Sequence, residues 1–171
     1  MLIFCTQQFV TGVLYYFRIK FEISNVVSNS NKKVLFVINP KSGAYNDYYR
    51  SYINEAAKKY DFNRLIYLTR GKNDSQEISR HIRELKPETV ISIGGDGTVN
   101  MVARELTGTD INLGIIPTGS ANGLAYNLGI PEDFNAAMKK NFSSPPGPLD
   151  VISINDKYFC LHLCDIGIKW K

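Results

Sequence analysis

Cysteine is scarce in this chain: Cys5, Cys160 and Cys164 are all it has in 171 residues. Three unevenly placed cysteines cannot build a disulfide framework, so a reducing, cytosolic setting is expected. Long apolar runs are also missing. Met1 to Phe17 is apolar overall, but Thr6, Gln7, Gln8 and Thr11 interrupt it, and it falls short of the roughly 20 apolar residues of a spanning helix. It has neither the basic start nor the small-residue cleavage site of a secretory signal. Block charge, low complexity and internal repeats are absent, and the excess of Lys and Arg (20) over Asp and Glu (16) is mild. That balance admits an anionic ligand or a membrane surface and gives no support to a nucleic-acid partner. The Walker formula G-x-x-x-x-G-K-[ST] does not occur either.

What is present suits one globular core, with 44% of residues hydrophobic. Residues 1–31 read as an N-terminal extension. It either packs loosely or carries a misplaced start, although Arg18 and Lys20 after the apolar part also fit a membrane-surface anchor. Ser24 to Asn31 is polar and linker-like. The pattern then becomes regular. Lys33–Ile38, Arg64–Thr69, Glu88–Ile93 and Asn112–Ile116 read as buried strands. Between them, Tyr48, Tyr49, Tyr52, Ile53, Ala56, Ala57 and Tyr60 recur at helical spacing, as do Ile78, Ile82 and Leu85 ahead of Pro87. Further helices are expected before Leu128, and over Glu132 to Lys140. Strands alternating with helices predict a three-layer α/β/α domain over residues 32–142, with a mostly parallel sheet. Ser143-Ser-Pro-Pro-Gly-Pro148 breaks the rhythm. Leu149–Ile154, the turn Asn155-Asp156 and Lys157–Leu163 then read as a hairpin, making 143–171 a linker and the opening of a β-rich second domain.

Glycine loops at 39–43, 94–98 and 117–123 each follow the end of a strand, the edge where open α/β sheets bind ligands. The central one, Gly94-Gly95-Asp96-Gly97-Thr98-Val99-Asn100, joins a strand to a helix. Glycines there let the backbone approach an anion, and the free amides of the helix start attract it. Asp96 would repel phosphate by itself, which points to a bridging Mg²⁺; capping its own helix is the plainer role for a single acid. The dinucleotide formula G-x-G-x-x-G is nearly met by Gly95 and Gly97, but Asn100 stands at its third glycine, which argues against that fold. Asn39-Pro40 starts a turn in which the amides and hydroxyl of Ser42 and Gly43 can donate to phosphate oxygens. Cys160, His162 and Cys164 alternate on one strand face without a fourth ligand, so no zinc site is expected. His81 reads as a helix-surface residue, and the tyrosines from 48 to 60 as packing.

Asn39-Pro40-Lys41-Ser42-Gly43, Gly94 to Asn100, and Leu113-Gly-Ile-Ile-Pro117-Thr-Gly119-Ser120-Ala-Asn122-Gly-Leu-Ala125 occur in an order that resembles the catalytic domain of the diacylglycerol kinase family. That family includes bacterial lipid kinases, sphingosine kinases and ceramide kinases, and the resemblance runs from Lys33 to about Gly167. It implies nucleotide binding by Thr69, by Gly95, Asp96, Gly97, Thr98, Val99 and Asn100, and by Ser120, which stands where the family more often has Thr. Asn39, Ser42, Gly43 and Gly119 belong to the same loops. The implied reaction moves a phosphoryl group from ATP, with Mg²⁺, to a lipid hydroxyl at a membrane surface. Asp96 would orient a Mg²⁺-bound water or polarise the acceptor, and a homodimer is allowed. The family's lipid pocket draws on its β-rich C-terminal domain, and in bacterial members so do the general base and a structural Mg²⁺ site. The chain is therefore expected to be an incomplete form, and Gly167-Ile-Lys-Trp-Lys171 departs from the family's usual sequence. A non-catalytic nucleotide-binding remnant and an NAD kinase are the rival readings.

Overall fold

The computed structural model describes residues 14–21, 32–154 and 158–161. The rest of the N-terminal stretch, the turn at Asn155-Asp156, and His162, Cys164 and the chain after them lie outside the described residues.

Four parallel strands make the central sheet: β2 (Lys32–Ile38), β3 (Phe62–Leu68), β4 (Thr89–Gly94) and β5 (Asn112–Pro117), in the order β3-β2-β4-β5. The two middle strands are apolar through their length because both faces are covered. Val34 to Ile38 and Val90 to Gly94 are buried without a break. Between successive strands run α1 (Tyr49–Lys59), α2 (Asp74–Leu85) and α3 (Asp96–Leu106). After β5 come the short α4 (Gly123–Asn127) and α5 (Phe134–Ser143). Aromatic stacking joins α1 to α5: Tyr49 lies on Phe134 at 4.3 Å between ring centroids, and Tyr60 on Phe142 at 4.9 Å. Helices α2 and α3 pack together. The result is the three-layer α/β/α domain the alternation calls for. The tyrosines of α1 serve packing on their inner side, where Tyr49 is buried, while Tyr48 is exposed.

The edge of β5 is closed by a side chain. Asn141 of α5 accepts from the Ile115 amide at 2.9 Å and donates to the Ile115 carbonyl at 2.8 Å, as a neighbouring strand would. Gly114 makes room for it, since a Cβ there would stand 2.7 Å from Asn141 Oδ1. Replacing Asn141 with Ala leaves two buried backbone groups unpaired, a loss of about 3 kcal/mol. Thermal unfolding of Asn141→Ala should drop by roughly 6–12 °C; an unchanged midpoint would refute this edge role.

A second, antiparallel sheet has the order β1-β6-β7, built from β1 (Leu14–Phe21), β6 (Gly147–Ile154) and β7 (Tyr158–Cys160). Strand β1 falls inside the stretch read above as an extension. It pairs with β6 along its whole length, from Leu14 opposite Ile154 to Phe21 opposite Gly147. The alternation Phe17-Arg18-Ile19-Lys20-Phe21 has the period of a strand, but the partner lies more than a hundred residues away and no local turn announces the pairing. Among the described residues, no helix is long and apolar enough to cross a membrane.

Candidate functional site

Strand order reverses between β2 and β4: the chain leaves β2 toward β3 and leaves β4 toward β5. The loops that follow β2 and β4 therefore diverge, opening a crevice at the carboxyl ends of the strands. Asn39 organises the first of these loops. Its amide donates to the Ile93 carbonyl at 2.9 Å, and its side-chain Oδ1 accepts from the Lys41 amide at 3.0 Å. Its own carbonyl receives the Ser42 amide at 3.1 Å and the Ser42 hydroxyl at 2.8 Å. Ser42 Oγ lies 2.7 Å from Thr118 Oγ1, which ties the first loop to the third. Asn39 Nδ2 reaches Thr98 Oγ1 at 3.4 Å.

Gly95 caps α3 with extended backbone and no side-chain hydrogen bond, so the first-turn amides of Asp96 and Gly97 have no acceptor among the described residues. Glycine is needed here for proximity. A Cβ on Gly119 would stand 2.4 Å from the Gly95 Cα, so the central and third loops touch backbone to backbone. The third loop is held in turn by Asn122, which is left-handed with φ 49°. Its side chain accepts from the Gly119 amide at 2.9 Å and donates to the Gly119 carbonyl at 2.7 Å.

Asp96 does not cap its own helix. Its two carboxylate oxygens accept from the amides of Gly123 at 3.1 Å and Leu124 at 3.2 Å, the first residues of α4. An acid at the head of α3 thus neutralises the start of α4, where negative charge is favoured.

The fourth wall comes from the β3–α2 connection. The Thr69 amide donates to the Ile38 carbonyl at 2.9 Å. Buried Asp74 gathers the loop behind it, accepting from the Arg70 amide at 2.8 Å, the Gly71 amide at 2.7 Å and the Tyr67 hydroxyl at 2.7 Å. Burial pushes the Asp74 carboxyl up, but these donors and the Arg70 charge outweigh it and hold the group below its ordinary value. Burial, together with the hydrogen bond to Asp74 and its charge, pushes the Tyr67 phenol up to about 12.

These loops enclose an open cleft of about 450 Å³. Of the residues singled out from sequence, Asn39, Ser42, Gly43, Thr69, Gly95, Gly97, Thr98, Gly119 and Ser120 line it. Asp96, Val99 and Asn100 do not. Val99 is on the buried face of α3, and Asn100 turns its amide to the Phe159 carbonyl of β7 at 2.9 Å. The structure adds Lys41, Gly71, Asp74 and Met101 to the lining. Lys41 stands within the first motif. Asp74 had only its position behind Gly71-Lys72-Asn73 to mark it, a helix-start signal rather than a site signal. Among the described residues, no group of three or more His, Cys, Asp or Glu is placed to hold a metal. Glycine backbone, the hydroxyls of Ser42, Thr69, Thr98 and Ser120, and Lys41 dominate the cleft, with Asp74 as its acid.

In open α/β sheets the switch-point crevice at the carboxyl ends of the strands is where ligands bind, and backbone amides at a helix start suit an anion. The profile of the diacylglycerol kinase catalytic domain matches residues 33–154, and the chain belongs to that family. It is 39% identical over 94 residues to a probable lipid kinase YegS-like protein of Klebsiella pneumoniae (strain 342), covering 54% of this chain and 32% of the relative. To a probable lipid kinase YegS of Salmonella newport (strain SL254) it is 38% identical over 106 residues, 60% of this chain and 36% of the relative. The crystal structure of a diacylglycerol kinase from Bacillus anthracis str. Sterne aligns with a TM-score of 0.51 and 28% identity, over 63% of this chain and 38% of that one. The chain thus spans about a third of the length of the curated relatives it matches.

Proposed function

We propose that the cleft binds Mg²⁺-complexed ATP and that this domain is the nucleotide half of a lipid kinase, moving the γ-phosphate to a lipid hydroxyl presented at a membrane surface. The observation that carries the proposal is the meeting of three strand-end loops, after β2, β4 and β5, at one crevice lined by glycine backbone and hydroxyls. Phosphoryl transfer asks for little covalent chemistry and much positioning. The Gly97 amide at the start of α3 receives a phosphate oxygen, with the Ser120 hydroxyl and Lys41 in the same lining, while Ser42 ties the first loop to the third. Thr69, just after β3, lines the same cleft. Asp96 holds α4, and through it the third loop, in register with the cradle. Mg²⁺ bound with the nucleotide would supply charge neutralisation in this cleft. Val99 and Asn100 act from behind, by seating α3.

Titration calorimetry of the chain with ATP, with and without Mg²⁺, should show saturable, Mg²⁺-dependent binding; absence of binding overturns the proposal. Labelled ATP with vesicles containing diacylglycerol or a sphingoid base, and with NAD in parallel, tests the acceptor. Transfer to a lipid and not to NAD is expected. Transfer to NAD alone would make the domain an NAD kinase, and ATP binding without transfer would leave a nucleotide-binding module.

A further inference from the structure

We infer that Asn100 is a positioning residue that latches the phosphate cradle to the second sheet, and is not itself a nucleotide ligand. Asp96, Asn100 and Arg104 stand four residues apart on α3 and so share one stripe of the helix. Asp96 is engaged with one part of the fold, Asn100 and Arg104 with another. Asp96 holds the first amides of α4. Asn100 Nδ2 donates to the Phe159 carbonyl at 2.9 Å, and the Arg104 guanidinium lies 5.5 Å from the centroid of the Phe159 ring. Two successive turns of one helix thus grip a single residue of β7, the edge strand of its sheet among the described residues.

Asn100 is absent from the cleft lining, and its Oδ1 is buried without a hydrogen-bond partner. A buried amide oxygen left unpaired is a poor choice for stability alone; the bond to β7 is what the side chain provides. Helix α3 thus carries both the contact to β7 and the Gly97 wall of the cradle. Filling the cradle therefore biases the placement of β7. The latch itself follows from the contacts; its response to ligand rests on the functional reading above.

Hydrogen–deuterium exchange over 147–161, together with the Kd for Mg·ATP, tests this in the whole chain. Asn100→Asp removes the donor in a near-isosteric side chain. Without nucleotide, the β7 amides of the variant should exchange about tenfold faster than in wild type, while α3 and β4 keep their protection. Mg·ATP should slow β7 exchange in wild type and leave it unchanged in the variant, with the two Kd values within about threefold. A loss of affinity with β7 exchange unchanged would make Asn100 a ligand and overturn the inference. Should Asn100→Asp fail to fold, exposed Arg104→Gln must show the same pattern at smaller amplitude, and its absence would overturn the inference equally. If wild type binds no nucleotide, the functional proposal fails; β7 exchange without ligand then decides the latch, and an unchanged rate refutes it.

Discussion

Gly119→Ala is expected to abolish measurable ATP binding, whereas Gly97→Ala should fold at least as well as wild type. The two glycines do different work. A Cβ on Gly119 would sit 2.4 Å from the Gly95 Cα and 2.9 Å from Asn122 Oδ1. Backbone stands in the way, so no rotamer relieves the clash. The third loop must move off the central one, opening the Thr118 amide to Gly94 carbonyl bond beside it. Overpacking of this kind costs about 1–3 kcal/mol, and a fall in unfolding temperature of roughly 2–12 °C follows. Displacement of half the cradle should weaken ATP about a hundredfold or more, equivalent to about 2.8 kcal/mol. Gly97 has nothing within 4 Å of a built Cβ and lies in the first turn of α3. Alanine there is favoured as a helix former by up to about 1 kcal/mol, but its methyl projects into the cleft. Calorimetry should therefore show Gly97→Ala losing ATP affinity with stability kept, and Gly119→Ala losing both. Equal affinity of Gly97→Ala and wild type would place the phosphates elsewhere.

The sheet was legible because its information is local. The runs at Lys33–Ile38 and Glu88–Ile93 are long and rich in β-branched residues; the observed β2 begins one residue earlier, and β4 is shifted by one residue at each end. The three glycine loops were legible for the same reason, and the family resemblance put them in one place. The bonds between the loops were not. Asp96 finds its partners 27 and 28 residues onward, Asn100 finds Phe159 59 residues onward, and Ser42 meets Thr118 across 76. A hydrogen bond between such positions leaves no periodicity and no turn signal in either segment. Strand β1 escaped for a related cause. Its length and alternation suit a strand, but an apolar stretch with polar interruptions is read against membrane and signal templates first, and only β6 reveals its use.

Asp96→Asn is the variant that separates two tasks an acid can have at this position. Asparagine keeps the shape and one acceptor, and turns an NH₂ group toward the second amide of α4. One charge-assisted bond becomes a donor facing a donor, a local loss of about 2–3 kcal/mol. The start of α4 and the loop from Gly119 to Asn122 should exchange amide protons faster, while the buried strands β2 and β4 hold. ATP affinity in the presence of Mg²⁺ should fall about ten- to a hundredfold; unchanged affinity in a folded variant would remove Asp96 from the site. The Mg²⁺ dependence then tells how the residue acts. Both carboxylate oxygens already accept from Gly123 and Leu124, so the geometry assigns Asp96 to orienting the third loop. On that assignment the variant weakens ATP by the same factor in Mg²⁺ and in EDTA. An acid that instead served the cation would give the opposite pattern. Its removal would relieve repulsion of free ATP, raise affinity in EDTA, and lower it only when Mg²⁺ is present.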